Sequence, residues 1–278
     1  MSTVIAPARE TVRATDRVAA ARRRVSVAET LGQTLTMAWR ALKKMRRNPE
    51  QFFDVALQPI LFTAMFAFIF GGAIAGDVKS YLPLMVPGIL AQTVLTTCMA
   101  TGTQLREDME KGVFDRFKSL PIARIAPLAG PMVADLLRYA IAATLTFAMG
   151  LMMGYRPGGG VGGVLGAILL AIFTGWSLAW VFTWVGTISR SAQAVQGISM
   201  MILFPLTFLS NAFVPVETLP GWLAAFVRVN PVSHLVTAAR DLANSALVSG
   251  EVGWTLLACL VVIAIFAPLS VRSYKRHM

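Results

Sequence analysis

Six long apolar segments that carry almost no charge are the feature that most constrains how this chain can fold. A helix needs about 20 apolar residues to cross a hydrocarbon core about 30 Å thick, and these segments are close to that length. They contain no lysine or arginine except Arg138. The pattern predicts an all-α membrane protein with six transmembrane helices: Phe53–Ile74, Pro83–Gly102, Val133–Gly154, Val164–Ser189, Ala192–Phe213 and Trp254–Val271.

The basic residues lie mainly on one side of the predicted bilayer. Eleven fall between Arg9 and Arg47, ahead of the first span, and later connections bring that side to 20 against 4 on the other. The positive-inside rule therefore predicts cytoplasmic termini, and orientation explains the net charge of +11 without a nucleic acid partner. Residues 1–26 are predicted to be a disordered basic tail, and 27–278 a single transmembrane domain.

An amphipathic helix is predicted just before the first span. Leu35, Trp39 and Leu42 recur at helical spacing with Leu31, Ala38 and Met45, while basic residues occupy the other faces. This pattern is typical of a helix at the membrane interface. It fits a simple anchor and, equally well, a helix that also contacts a cytoplasmic partner.

Two of the connections between spans have sequence patterns that predict their structure. Gly158–Gly163 lacks the lysine of a phosphate-binding loop and is interpreted as a flexible outer turn. Asn211 to Pro231 is apolar but broken by prolines, which predicts an extracellular or re-entrant hairpin before the last span. An interfacial loop held by Trp222 is the alternative.

The chain offers no catalytic constellation, so an enzyme is not expected. It has two histidines and no paired carboxylates within a span, and both cysteines fall in apolar runs. Asp54, Asp135 and Arg138 are expected near span ends, the last two as an orienting ion pair at i,i+3. The spans therefore lack an ion relay, and energy for transport would come from outside the chain.

A cytoplasmic stretch, Leu105–Pro121, is the predicted contact with such an energy source. Its apolar residues recur as on one helix face and are surrounded by charges of both signs, which favours a protein groove over lipid. Packing on the chain's own bundle is the alternative. The predicted contact residues are Met109, Glu110, Lys111, Val113, Phe114, Arg116, Phe117 and Leu120.

Polar side chains within the spans are candidates to line a transport pathway. Those in the second and fifth spans fall on single helix faces, although hydrogen bonds between helices explain them equally well. The candidates are Gln92, Thr96, Met99, Gln196, Met200 and Asn211.

Several motifs together resemble the ABC-2 type permeases of ATP-binding-cassette exporters, within them the daunorubicin-resistance type. They are Trp39-Arg40 to Arg47-Asn48-Pro49-Glu50, Tyr81-Leu82-Pro83-Leu84-Met85-Val86-Pro87-Gly88, Glu110-Lys111-Gly112 through Arg116-Phe117-Lys118-Ser119-Leu120-Pro121-Ile122, and Asn230-Pro231. The resemblance covers about Val27 to Arg276. It implies that the block after the second span is the coupling helix for a separate ATPase.

The expected function is that of the permease subunit of an ATP-driven exporter in a bacterial cell membrane. The resemblance implies two ATPase subunits, a second permease as homodimer or heterodimer partner, no cofactor in this chain, and ATP with magnesium on the ATPase. A hydrophobic or amphipathic substrate, such as a drug, a lipid or a lipid-linked glycan, suits uncharged spans. The alternatives are a secondary transporter or channel, and a non-transporting scaffold.

Overall fold

The computed structural model describes residues 27–46, 49–113 and 125–276, so the predicted tail 1–26 lies outside the described residues. Within those ranges the regular structure is entirely helical, which confirms the all-α prediction. The helices are α1 Val27–Arg46, α2 Pro49–Ala75, α3 Val78–Glu110, α4 Ala126–Met152, α5 Gly160–Ile188, α6 Ala192–Phe208, α7 Gly221–Val229, α8 Pro231–Ser245 and α9 Gly250–Arg276, with a 3-10 turn at Val216–Thr218.

Five of the described helices are long and apolar enough to cross a membrane, one fewer than predicted. These segments are Val55–Ala75, Val78–Glu110, Ala126–Met152, Gly160–Ile188 and Gly250–Tyr274. The predicted span Ala192–Phe213 is helical only to Phe208, and α6, with 17 residues, is about 25 Å long. The chain is a multi-pass membrane protein.

The early end of α6 has a local cause. The side-chain amide of Asn230 donates hydrogen bonds of 2.8 Å to the carbonyl oxygens of Leu206 and Leu209, both at the end of the helix. Carbonyl groups in a last turn have no partner within the helix, so these bonds stabilise a stop here. Beyond the stop, Ser210 to Phe213 continue as buried non-helical backbone.

Helix α3 is the centre of the bundle. It packs against α2, α4, α5, α6 and α8, and most of its spanning part is buried. Helix α9 packs mainly on α5 and exposes much of its apolar surface, including Leu257, Leu260 and Ile265. Exposed leucine and isoleucine along a spanning helix indicate contact with lipid.

The bundle has two ends with different contents. The α1 end contains α1, the C-termini of α3 and α9 and the turn from α5 to α6, where Leu105, Leu128 and Tyr274 form a small apolar cluster. The hairpin end contains α7, α8 and the N-terminus of α3. These two names are used below.

At the hairpin end, side chains of α8 satisfy backbone carbonyls of α3. Pro87 has no N–H to donate to the Pro83 carbonyl, and the Asn244 amide donates to that oxygen instead, at 3.0 Å. Arg240 donates to the Leu84 carbonyl, also at 3.0 Å. Tyr155 donates to the Asn244 side-chain oxygen at 2.6 Å, and burial raises the pKa of Tyr155 to about 12.

The glycine-rich run Gly158–Gly163 is a packing site, so its interpretation as a flexible outer turn is wrong. The Gly159 N–H donates to the Ala243 carbonyl at 2.9 Å, and α5 begins within the run. A Cβ on Gly159 would lie 2.8 Å from that carbonyl oxygen and closer still to the Leu242 oxygen. The glycines let the start of α5 touch the backbone of α8, as small residues do between membrane helices.

Candidate functional site

A groove of about 650 Å³ runs along α3 between α2 and α6. We call it the lateral groove. Its volume is within the range of small-molecule sites, about 300–1,000 Å³. Its lining combines apolar residues with uncharged hydrogen-bonding side chains and two charged ones: Val55, Leu57, Gln58, Leu61, Phe62, Thr96, Thr97, Met99, Ala100, Thr103, Gln104, Glu107, Arg138 and Gln196.

Two hydrogen bonds fix the Gln58 amide and the Thr96 hydroxyl in the groove. Gln58 donates to the Thr96 hydroxyl at 3.2 Å, across the α2–α3 contact. The same hydroxyl donates to the Gln92 carbonyl at 2.9 Å, one turn back in its own helix. Gln196, on the α6 wall, is exposed to the groove side. The groove therefore offers amide and hydroxyl groups beside aromatic and aliphatic surface.

Three of the six predicted pathway residues meet in this groove: Thr96, Met99 and Gln196. Gln92 instead is buried inside the bundle, and Met200 is 52% exposed on the outside of α6. Asn211 lies at the hairpin end, where its amide donates to the Thr237 hydroxyl at 2.8 Å. The helical periodicity of α3 and α6 alone does not show which of these residues face the groove and which face the bundle interior or the outside.

The sequence analysis did not name Gln58 or Arg138 as residues that line a groove. Gln58 is a lone amide in an apolar span, and this isolation is the sequence feature that could have identified it as a candidate. Arg138 bonds Asp135 at 3.2 Å, as the i,i+3 spacing predicted, and both side chains are over nine-tenths buried. Helix α4 begins at Ala126, seven residues earlier than predicted, so the pair lies about two and a half to three turns inside the helix and still at the α1 end of the bundle.

The predicted coupling helix is interrupted. Helix α3 ends at Glu110, and Gly112 takes a left-handed conformation with φ of 65° before the chain becomes helical again at Val113. Met109 and Val113 therefore do not share one continuous helix, because a glycine in that conformation breaks the register. Met109 packs on the cluster of Leu105, Leu128 and Tyr274.

Glu110 and Arg106 join the end of α3 to the start of α6. The backbone N–H of Ala192 donates to the Glu110 carboxylate at 3.1 Å, and Arg106 donates to the Arg190 carbonyl at 2.9 Å. A carboxylate at a helix N-terminus is stabilised by the helix dipole. Gln196 of the groove follows one turn later. Lys111 pairs with Glu107 at 3.2 Å and is exposed.

The remaining coupling candidates, Phe114, Arg116, Phe117 and Leu120, lie outside the described residues, whereas Val113 borders a cavity beneath α1. Helix α1 packs on α4 through a face that includes the buried Ala38. Leu35 and Trp39 are 68% and 69% exposed, and Leu42 is half-buried. The exposed pair is consistent with the predicted position at the membrane interface.

In the part of the chain that the structure describes, no cluster of three histidine, cysteine, aspartate or glutamate side chains could hold a metal ion. Cys98 and Cys259 are both buried as free thiols.

Comparison with known proteins identifies similar chains. The profile of the family described as "ABC-2 type transporter" matches residues 32–243, from α1 into α8. The "daunorubicin resistance ABC transporter permease protein DrrB1" of Streptomyces coeruleorubidus is 42% identical over 258 residues, 93% of this chain and 91% of that one. A "probable doxorubicin resistance ABC transporter permease protein DrrC" of Mycobacterium tuberculosis is 25% identical over 252 residues, 89% and 91% of the two chains. The matched region includes the lateral groove.

Proposed function

The chain belongs to the ABC-2 type transporter family, and on that premise we propose that it is the membrane-spanning subunit of an ATP-driven exporter. A separate chain is proposed to supply the ATPase, because the relatives that this chain matches over 91% of their length are named permease proteins. The observation that carries the proposal is the lateral groove, which is accessible from the side of the bundle between two spanning segments.

The proposed topology has six spans with both termini in the cytoplasm of a bacterium. Helix α6 acts as the short fifth span, and its 17 residues are at the lower limit for crossing, about 17. The bias of basic residues, 20 to 4, supports the orientation. The α1 end then lies at the cytoplasmic face.

Force from the ATPase has a short route to the groove. An ATPase that docks on the segment after α3 would move the turn at Lys111 and Gly112. Glu110 and Arg106 attach that turn to the first residues of α6, whose Gln196 lines the groove. Movement of the docked segment would therefore shift one wall of the groove relative to α3.

The proposed substrate is hydrophobic or amphipathic and carries hydrogen-bonding groups. The neutral amides of Gln58, Gln104 and Gln196 complement carbonyls and hydroxyls, while Phe62 and Met99 complement rings or chains. Two relatives are named for resistance to daunorubicin and doxorubicin, which favours a drug over a lipid or a lipid-linked glycan.

A second permease subunit, identical or related, is proposed to cover the groove. Both walls continue into exposed apolar surface, at Leu61 and Phe68 on α2 and at Met201 and Phe204 on α6. Two ATPase subunits would serve the pair, with ATP and magnesium bound on them.

The transport test is ATP-dependent uptake of daunorubicin by inverted vesicles that contain this chain and its ATPase. The double variant Gln58→Leu/Gln196→Leu removes two hydrogen-bonding groups of about 1 kcal/mol each, so we expect uptake to fall about thirtyfold. Gln193→Leu, an exposed glutamine on the same helix outside the groove, is the matched control. Uptake that needs no ATP would contradict the exporter, and unchanged uptake by the double variant would exclude the groove.

The docking test is copurification of the ATPase. We expect Phe117→Asp to abolish the complex, because a charge replaces an apolar contact, while Phe117→Leu retains it. Equal recovery of the ATPase with both variants would defeat the coupling proposal.

A further inference from the structure

A second cavity, of about 290 Å³, lies at the α1 end between α1, α3 and α4. We call it the α1 cavity. Arg138 and Gln104 border both this cavity and the lateral groove, but the other lining residues differ. Apolar side chains such as Met37, Leu105 and Leu128 line part of it. Its volume is close to the lower end of the range for small-molecule sites, about 300 Å³.

The charges around the α1 cavity are mainly positive. Four basic residues line it, Arg40, Lys44, Lys111 and Arg138, against two acidic ones, Asp108 and Asp135. Lys44 and Asp108 pair at 3.0 Å and join α1 to α3 beside the cavity. The lateral groove, by comparison, has one basic and one acidic side chain. Arg138 and Lys111 also have acidic partners, Asp135 and Glu107, so the lining keeps a modest formal excess of positive charge, whereas the lateral groove has none.

Arg138 supplies a buried donor. The residue is 7% exposed, and one terminal nitrogen of its guanidinium bonds Asp135. Its Nε is buried and has no hydrogen-bond partner among the described residues. A buried N–H without a partner is costly, and the guanidinium geometry matches the oxygens of a phosphate group.

The position of α1 fixes the depth of the cavity. Leu31, Leu35 and Trp39 on its outer face are exposed, as expected for a helix at the boundary of headgroups and acyl chains. The cavity lies behind this helix and so opens at the level of lipid headgroups. In the cytoplasmic leaflet these headgroups are often anionic, and basic pockets between helices on that side bind them.

We propose that the α1 cavity binds the phosphate headgroup of one anionic phospholipid and that this lipid holds α1 against the bundle. The phosphate lies against the Arg138 guanidinium, the basic side chains of α1 surround the headgroup, and the acyl chains follow the apolar wall toward the membrane. The site adjoins the export groove at Arg138 and Gln104, but it does not depend on which substrate is carried.

The test uses the purified full chain in mixed micelles, without ATPase or drug. Native mass spectrometry measures the retention of phosphatidylglycerol and of phosphatidylcholine. We expect wild-type protein to retain phosphatidylglycerol about tenfold more, consistent with one charge-assisted site. Because Arg138→Gln alone leaves Asp135 buried and unpaired, the main variant is the neutral double change Asp135→Asn/Arg138→Gln, which should lose the preference.

Two further variants separate the site from general charge effects. Ala41→Phe fills the cavity without changing any charge and should also lose the bound lipid. Lys79→Gln removes one exposed positive charge at the hairpin end and should retain the preference. Equal retention of both lipids by wild type, or an unchanged preference in both cavity variants, would overturn the proposal.

Competition identifies the occupant. Soluble glycerol phosphate should fail to displace phosphatidylglycerol at equal concentration, because it lacks acyl chains for the apolar wall. Displacement by glycerol phosphate would instead indicate a free-phosphate site and overturn the lipid proposal. Displacement by daunorubicin would make the cavity part of the transport route and overturn it as well, without affecting the ATPase test above.

Discussion

The two ends of the bundle are held together by different kinds of contact. At the hairpin end, the side chains of Asn230, Arg240 and Asn244 donate to backbone carbonyls, and glycines allow backbone contact. At the α1 end, partly exposed charged side chains make the links: Lys44 pairs with Asp108 between α1 and α3, and Arg106 and Glu110 bond the backbone at the start of α6. Hydrogen bonds to backbone carbonyls each contribute about 1 kcal/mol and are little affected by salt when the donor is neutral, whereas exposed ion pairs contribute about 0–1 kcal/mol and are screened.

This difference between the two ends fits the roles proposed for them in transport. An end that receives force from a separate ATPase must change its contacts at small cost, and weak ion pairs allow that. The opposite end must keep the spanning helices in register while the groove changes shape. Four substitutions test whether the contrast in stability is real, from the largest expected effect to the smallest.

The largest effect is expected for Gly159→Val at the hairpin end. The added side chain would overlap the carbonyl oxygens of Leu242 and Ala243, which are backbone atoms that cannot move aside. We expect a loss of about 3 kcal/mol or failure to fold, measured as the yield of monodisperse protein in detergent. Gly162→Val is the matched control, because a Cβ there meets nothing within 4 Å. Similar yields of the two variants would mean that the glycine run is not a packing site.

A smaller loss, about 2 kcal/mol, is expected for Asn230→Ala. The change removes two bonds to the carbonyls of α6 and the side-chain cap on the Val232 N–H at the start of α8. The thermal unfolding midpoint in micelles should fall and should stay equally low at high salt. Thr218→Ala, which removes an exposed bond to the Pro215 carbonyl, should leave the midpoint nearly unchanged.

Glu110→Gln at the α1 end should cost less stability, about 0.5–1 kcal/mol, because its ion pair with Arg106 is partly exposed. Its effect on transport should be larger than its effect on the unfolding midpoint, since it weakens the link to α6. Asp77→Asn, a change at an exposed carboxylate that accepts from the Ser80 N–H at the other end of α3, serves as the control. Equal transport by both variants would contradict the proposal that Glu110 transmits movement of the docked segment to α6.

The smallest effect is expected for Lys44→Gln, at about 0.5 kcal/mol. Lys44 pairs with Asp108 across the gap between α1 and α3, but half of its side chain is exposed. The difference in midpoint between wild type and variant should vanish near 1 M salt, where the screening length is about 3 Å. A difference that persists in high salt would mean that the α1 end is not held by screened charges.

The spans and their order were predictable because lipid requires each crossing segment to be apolar along its whole length. That requirement leaves a signal in composition, and five of the six predicted spans are long apolar helices in the structure. Their ends were less accurate, as the early start of α4 at Ala126 shows, because the residues between Ala126 and Val133 are mostly apolar or small and give no sharp boundary.

The sites were predicted only in part. Thr96, Met99 and Gln196 meet in the lateral groove, yet their meeting depends on how α2 and α6 pack on α3, which helical periodicity in one segment does not reveal. The break at Gly112 was also missed, because the periodicity from Met109 to Phe117 continues across it. The coupling residues from Phe114 onward lie outside the described residues and remain predictions.

The amino-acid sequence by itself determined that the chain lies in a membrane, how many apolar segments it has, and that its basic residues are concentrated on one side. These properties follow from composition summed over local windows. Only the tertiary structure decided which polar groups meet. The groove between α2 and α6, the cavity between α1, α3 and α4, and the contact of Gly159 with α8 all join residues far apart in sequence. Packing between helices creates such sites, and a pattern within one helix does not specify its neighbour.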